Sequence, residues 1–162
     1  KGSYFDAHTN IEDIAVVGQY VYTSNFGGDE FPVIDVSDPS QPRQVGSYDL
    51  PWGAARGMVV VYPYAYVTDT DGGLRILSVT NPAHPTEEGA YDLSTNAQGP
   101  HLSAREVAVA GPIAYVNIGG NDLHIVNISN RAAPAKIASY SNFLVTDPVS
   151  VKVVGALAYV AD

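Results

Sequence analysis

One segment of about 44 residues recurs through the chain and constrains its fold more than any other feature. Val21-Tyr22-Thr23-Ser24, Ala65-Tyr66-Val67-Thr68, Ala114-Tyr115-Val116-Asn117 and Ala158-Tyr159-Val160-Ala161 superpose in order, with tyrosines spaced by 44, 49 and 44 residues. A second landmark keeps the same phase: Asp38-Pro39-Ser40-Gln41-Pro42, Asn81-Pro82-Ala83-His84-Pro85 and Asn130-Arg131-Ala132-Ala133-Pro134. A third is Gly2-Ser3-Tyr4, Gly46-Ser47-Tyr48, Gly89-Ala90-Tyr91 and Ala138-Ser139-Tyr140. A period of this length built from short strands implies a propeller or a comparable array.

Each period divides into four runs rich in β-branched and aromatic residues, with Gly, Pro, Asn and Asp between them. In the first period these are Ile14–Val17, Tyr20–Ser24, Phe31–Ser37 and Arg43–Asp49. The first run is apolar at nearly every position, as Met58-Val59-Val60-Val61 and Val107-Ala108-Val109-Ala110 repeat, so it is expected to be buried on both faces. The fourth is the most polar, as in Thr86-Glu87-Glu88-Gly89. That gradient predicts a four-stranded blade with its first strand at the axis and its fourth at the rim. No stretch holds a 3.6-residue period, so helices are expected to be nearly absent.

The third runs, Val33-Ile34-Asp35-Val36-Ser37-Asp38-Pro39, Leu74-Arg75-Ile76-Leu77-Ser78-Val79-Thr80-Asn81-Pro82 and Leu123-His124-Ile125-Val126-Asn127-Ile128-Ser129-Asn130, resemble the LVIVD repeat. The resemblance covers essentially the whole chain. It implies an all-β propeller and a secreted or cell-surface setting, and brings no catalytic residues with it. The third copy departs from the pattern, with Arg131 where the others have Pro39 and Pro82.

The expected fold is one incomplete propeller domain over residues 1–162, with repeats at 7–49, 50–92 and 93–141 and a partial one at 142–162. Strands count as one rim strand at Gly2–Asp6, three sets of four, then two more, about three and a half blades. Closed rings use about 4–8 blades, and a six- to eight-bladed ring of this repeat needs about 260–350 residues. The expectation is therefore a part of a longer polypeptide, completed by its own further blades or by a protein partner. A formal charge of −9 argues against nucleic acid and anionic membrane surfaces, which require basic patches. No apolar run reaches the length of a membrane-spanning helix. The absence of cysteine removes disulfides and thiolate metal sites.

Loops joining each fourth strand to the next first strand should emerge on one face and ring the mouth of the central channel, where concave sites on such scaffolds tend to lie. His8, Trp52, His101 and Val145 are equivalent there, as are Glu12, Arg56, Arg105 and Val149. His8 and His101 either ligate a metal or move protons, or cap their loops by hydrogen bonding to the backbone. Arg56 and Arg105 suit an anionic ligand such as a carboxylate or acidic sugar, or pair with acids on neighbouring blades. Trp52 could stack on a sugar ring or simply pack. The loops between second and third strands include Asp69-Thr70-Asp71-Gly72, which has the opening of a calcium loop without its later Glu. A hairpin turn explains Asp69 and Asp71 as well, with calcium as the alternative.

GxSxG, P-loop and HExxH signatures are all missing. The function expected is a noncatalytic interaction or structural module, with an enzyme at the channel mouth and a carbohydrate-binding module as alternatives. The fold alone does not separate these.

Overall fold

The computed structural model describes residues 2–4, 10–28, 30–93, 103–120, 122–141 and 150–161. Within them the chain forms three four-stranded antiparallel sheets and one two-stranded sheet. Blade 1 is β1 (Ile11–Val17), β2 (Tyr20–Asn25), β3 (Glu30–Asp35) and β4 (Arg43–Asp49). Blade 2 is β5 (Ala55–Val61), β6 (Tyr64–Asp69), β7 (Gly73–Ser78) and β8 (Thr86–Asp92). Blade 3 is β9 (Ala104–Ala110), β10 (Ile113–Ile118), β11 (Asp122–Asn127) and β12 (Ala135–Ser141), and β13 (Ser150–Val154) pairs with β14 (Leu157–Ala161). Strands pair in sequence order in every sheet, and the described residues contain no helix.

Turn chemistry sets the strand ends. The two-residue connections at Gly18, Gly111 and Gly155 place glycine at φ near +60° (61°, 56° and 60°), a conformation that costs a side chain energy. In blade 2 the same connection is made by Tyr62–Pro63 through a cis peptide. The third run ends at Asp35, before the expected Ser37, because the Asp35 carboxylate accepts the Ser37 N–H at 2.8 Å and turns the chain out of the ladder.

The first and fourth runs take the expected places. β1, β5, β9 and β13 pack side by side at the axis, and β4, β8 and β12 lie at the outer edges of their sheets. The residues expected as a leading rim strand behave otherwise. Among the described ones, Gly2, Ser3 and Tyr4 join no ladder, and Phe5 and Asp6 fall outside the described residues. They still dock as a rim segment does. Gly2 lies on the backbone of Pro39 and Ser40, and the Tyr4 hydroxyl donates to Gln44 Oε1 at 2.5 Å.

Blades stack through one template used twice. At the first junction Tyr22, Phe31, Val33 and Leu50 meet Ala55, Met58, Ala65, Val67, Leu77 and Val79. At the second, Tyr66, Leu74, Ile76 and Leu93 meet Ala104, Val107, Ala114, Val116, Val126 and Ile128, the same positions one repeat later. Second-strand hydroxyls tie the axis: Ser24 Oγ donates to the Arg56 carbonyl and Thr68 Oγ1 to the Arg105 carbonyl. Rim tyrosines tie the outside. The Tyr48 hydroxyl donates to Glu87 Oε2 at 2.8 Å, and the Tyr91 hydroxyl lies 3.0 Å from His124 Nδ1. Burial, reinforced by that Glu87 carboxylate, pushes the Tyr48 phenol up to about 12. Arg131, the departure from the proline pattern, crosses the junction as well. Its guanidinium lies 4.2 Å from the Tyr64 ring centre, and its Nε donates to the Tyr66 hydroxyl at 3.2 Å.

The glycine of the third landmark has a steric cause. A Cβ at Gly46 would overlap the carbonyl oxygen of Pro82, and one at Gly89 that of Arg131. The turn between the third and fourth strands of the next blade sits directly on each of these glycines. Gly46→Ala and Gly89→Ala should each destabilise by about 1–3 kcal/mol, because the obstructing atoms are backbone. Ala138→Gly, at the exposed equivalent position, should cost under about 1 kcal/mol. Urea titration of the three variants tests the contrast.

Candidate functional site

A cavity of about 220 Å³ opens where the innermost strands of the three blades converge, lined by Glu12, Asp13, Arg56, Gly57, Arg105 and Glu106. The same backbone irregularity builds each part of its wall. The ladder slips between Ile11 and Asp13 in β1, between Ala55 and Met58 in β5, and between Ala104 and Glu106 in β9. A bulge leaves an extra residue out of the ladder and re-aims its side chain. In the three blades the residues at the slip are Glu12, then Arg56 with Gly57, then Arg105. The register of the sequence thus becomes a ring of charged residues at the channel mouth.

The next residue in each repeat completes the wall. Asp13 Oδ1 accepts the Ile14 N–H at 2.7 Å, and its Oδ2 reaches across the junction to the Met58 N–H at 3.0 Å. Gly57 has no side chain to make the corresponding reach, so Glu106 folds back and accepts the Val107 N–H on Oε1 at 3.0 Å. The missing side chain also makes the room: a Cβ on Gly57 would lie 2.6 Å from Glu106 Cα and 2.7 Å from its Oε1.

Burial pushes the Glu106 carboxyl up to about 7, with Asp13 adding to the rise and the Val107 N–H opposing it. A neutral carboxyl at that pH can donate a hydrogen bond or exchange a proton. The Arg56 guanidinium lies over the Phe26 ring at 4.6 Å from its centre, and its Nε is buried without a hydrogen-bond acceptor.

Of the residues singled out in sequence, Arg56 and Arg105 come together in this cavity. His8 and His101 lie outside the described residues, as do Val145 and Val149. Trp52 is 57 % exposed and stands apart from the cavity wall. Asp69 is fully buried, with Oδ2 3.4 Å from Arg75 Nε and Oδ1 accepting the Gly72 N–H at 3.3 Å. Arg75 continues to Glu87 and Asp92, at 3.8 and 3.5 Å. Asp71 is exposed in a three-residue hairpin loop that closes on Asp69 and Gly73. Among the described residues, no three His, Asp or Glu side chains are grouped to hold a metal. Sequence reasoning missed Asp13, Gly57, Glu106 and Phe26. The first three were reachable, since each follows a ring position already identified.

This arrangement of ordered four-stranded sheets around an axial mouth defines the chain as a β-propeller segment. It matches the LVIVD repeat family model at residues 10–50, 52–93 and 103–142, and belongs to that family. No curated protein matches it. Similar solved structures include a protein from Lactobacillus plantarum, with 18% identity over 89% of this chain and 45% of that one, at a TM-score of 0.77. The periplasmic gluconolactonase PpgL of Pseudomonas aeruginosa is 15% identical over 86% of this chain and 43% of its own, at 0.73. The computationally designed Ika4 protein is 9% identical over 98% of this chain and 88% of its own, at 0.75. Against both natural proteins the chain spans under half their length.

Glu106 makes stability depend on pH. Its folded value near 7 exceeds the ordinary 4.5, so between them the folded protein holds a proton that the unfolded chain has released. The stabilisation is therefore complete below about pH 4.5 and lost as pH rises through about 7. Glu106→Gln removes that term. The melting temperature of the variant relative to the parent should rise from about pH 5 to about pH 7 and level off by about pH 8. Parallel thermal melts across that range check it, and a constant difference would contradict the assigned burial.

Proposed function

We propose that this chain is part of a noncatalytic propeller that serves as an interaction or structural module, in a secreted or cell-surface protein. The observation that carries the proposal is the outer face of blade 1. Ile11, Ile14 and Val16 are 54, 60 and 64 % exposed there, at the positions where Ala55, Met58 and Val60 pack against the preceding blade. Three large apolar side chains on one strand face are a docking surface. Because they continue the template of the two formed junctions, the occupant proposed is another four-stranded blade of the same repeat. The opposite side supports this, with Ile137 and Tyr140 exposed on β12 and Leu157, Tyr159 and Val160 on β14.

In this proposal the stacked blades give rigidity, and the loops around His8, Trp52, Arg56, His101 and Arg105 form the recognition surface. A saccharide at exposed Trp52 is a further candidate for what that surface meets. The secreted or surface setting rests on the family likeness, and accessibility to protease on intact source cells tests it.

Ile14→Asp in the natural polypeptide tests the docking. Buried under a further blade, the substitution should cost about 2–4 kcal/mol. Left in water, it should shift stability by no more than about 0.5 kcal/mol. Denaturant titration separates the two outcomes, and the smaller one would overturn the blade-docking proposal.

A further inference from the structure

We propose that the cavity at the channel mouth binds one small hydroxycarboxylate, its carboxylate held by Arg56 and Arg105 and its hydroxyls directed to Glu12, Asp13 and Glu106. The proposal stands independently of what covers the blade faces. It begins from a guanidinium whose hydrogen bonding is incomplete. Arg56 is fixed on Phe26, with Nε buried and without an acceptor, and it makes no ion pair among the described residues. Yet three carboxylates line the same cavity.

Two of those carboxylates are already engaged by backbone, and the third, Glu12, is exposed. Both oxygens of Asp13 accept backbone N–H groups from Ile14 and Met58, and Glu106 Oε1 accepts from Val107. The wall therefore offers an unmet donor at Arg56, and a ligand acceptor answers it. A buried donor without an acceptor is costly, so the interaction that satisfies it is favoured. Guanidinium groups match the paired oxygens of a carboxylate through forked hydrogen bonds.

Charge and size narrow the class. Glu12 and Asp13 would repel a dianion such as sulfate, whereas a monoanion meets two guanidinium groups and keeps the acids as acceptors for its hydroxyls. The cavity, at about 220 Å³, is smaller than the roughly 300–1,000 Å³ that takes drug-sized molecules. A molecule the size of a single sugar acid suits it.

Glu106 couples binding to protons. It is surrounded by Glu12 and Asp13 of β1, Arg56 of β5 and its own neighbour Arg105, and no other charged side chain lines the cavity among the described residues. A bound anion disfavours ionisation of Glu106, so the complex takes up a proton, and affinity should fall as pH rises past about 7.

Calorimetric titration of the natural polypeptide with D-glucuronate, D-glucose and sulfate tests the site. Glucuronate should bind at least about tenfold more tightly than glucose or sulfate, and weaken several-fold from about pH 6 to about pH 8. Arg56→Met, which keeps the stem on Phe26, should lower glucuronate affinity by at least about tenfold without lowering the melting temperature. Arg56→Lys serves the same purpose if the methionine variant fails to fold. Glu106→Gln should bind glucuronate with no pH dependence over that range. The proposal is overturned if glucuronate does not bind, if glucose or sulfate binds as well, or if the Arg56 variants retain parental affinity.

Discussion

Everything else in this molecule depends on how closely one sheet can approach the next. The Pro82–Ala83 turn lies on Gly46 and the Arg131–Ala132 turn on Gly89, with no space for a methyl between backbones. That contact fixes the rim, while Ser24 and Thr68 fix the axis by donating to the carbonyls of Arg56 and Arg105. Pinned at both ends, the two sheets of each junction have little freedom to slide. The apolar residues between them therefore meet at the same positions in both junctions. Interiors packed at crystal-like density transmit such constraints with little loss. The charged ring at the mouth keeps its spacing because the strands bearing it are held this way.

The fold was legible because it is written three times. Tyr22, Tyr66 and Tyr115 mark second strands, the Asp-Pro or Asn-Pro turns end third strands, and Gly-Ser-Tyr marks the rim. Errors in one copy are corrected by the others. The site was less legible because it is written in differences between copies. Glu12, Arg56 and Arg105 were visible as a ring, but the following residues Asp13, Gly57 and Glu106 are two carboxylates of different length with a bare glycine between them in the series. Their relation appears only when Asp13 is seen to reach the Met58 N–H, and Glu106 to supply for Val107 what Gly57 does not. Phe26 was hidden for another reason, since it reaches Arg56 from a loop in the preceding blade. Arg131 looked like a lost proline in the sequence; in the structure it is a cation placed on Tyr64.

Bulges link the scaffold to the site. A regular first strand would alternate its side chains between the faces of its sheet, and in β5 and β9 both faces meet neighbouring blades. The slipped residue escapes that alternation and becomes free to line the channel. Because the slip recurs at the mouth end of β1, β5 and β9, one backbone device serves three blades while the side chain remains open to change. Glu at one copy and Arg at two others leave the packed residues Met58 and Val107 in place further along the strand. Such a scaffold can alter its charge pattern without repacking its core.

The face of blade 3 beyond the second junction departs from two of these rules. Ala138 replaces the rim glycine, so a turn packed there as closely as Pro82 packs on Gly46 would overlap its methyl group. At the axis, Asn117 replaces Ser24 and Thr68; its side chain is fully buried, and neither its Oδ1 nor its Nδ2 has a partner among the described residues. A hydroxyl offers one donor on a short stem, whereas an amide reaches further and presents two. Blade 3 therefore carries neither the bare glycine that lets a turn sit on the rim nor the hydroxyl that reaches a first-strand carbonyl, the two contacts that pin the junctions before it.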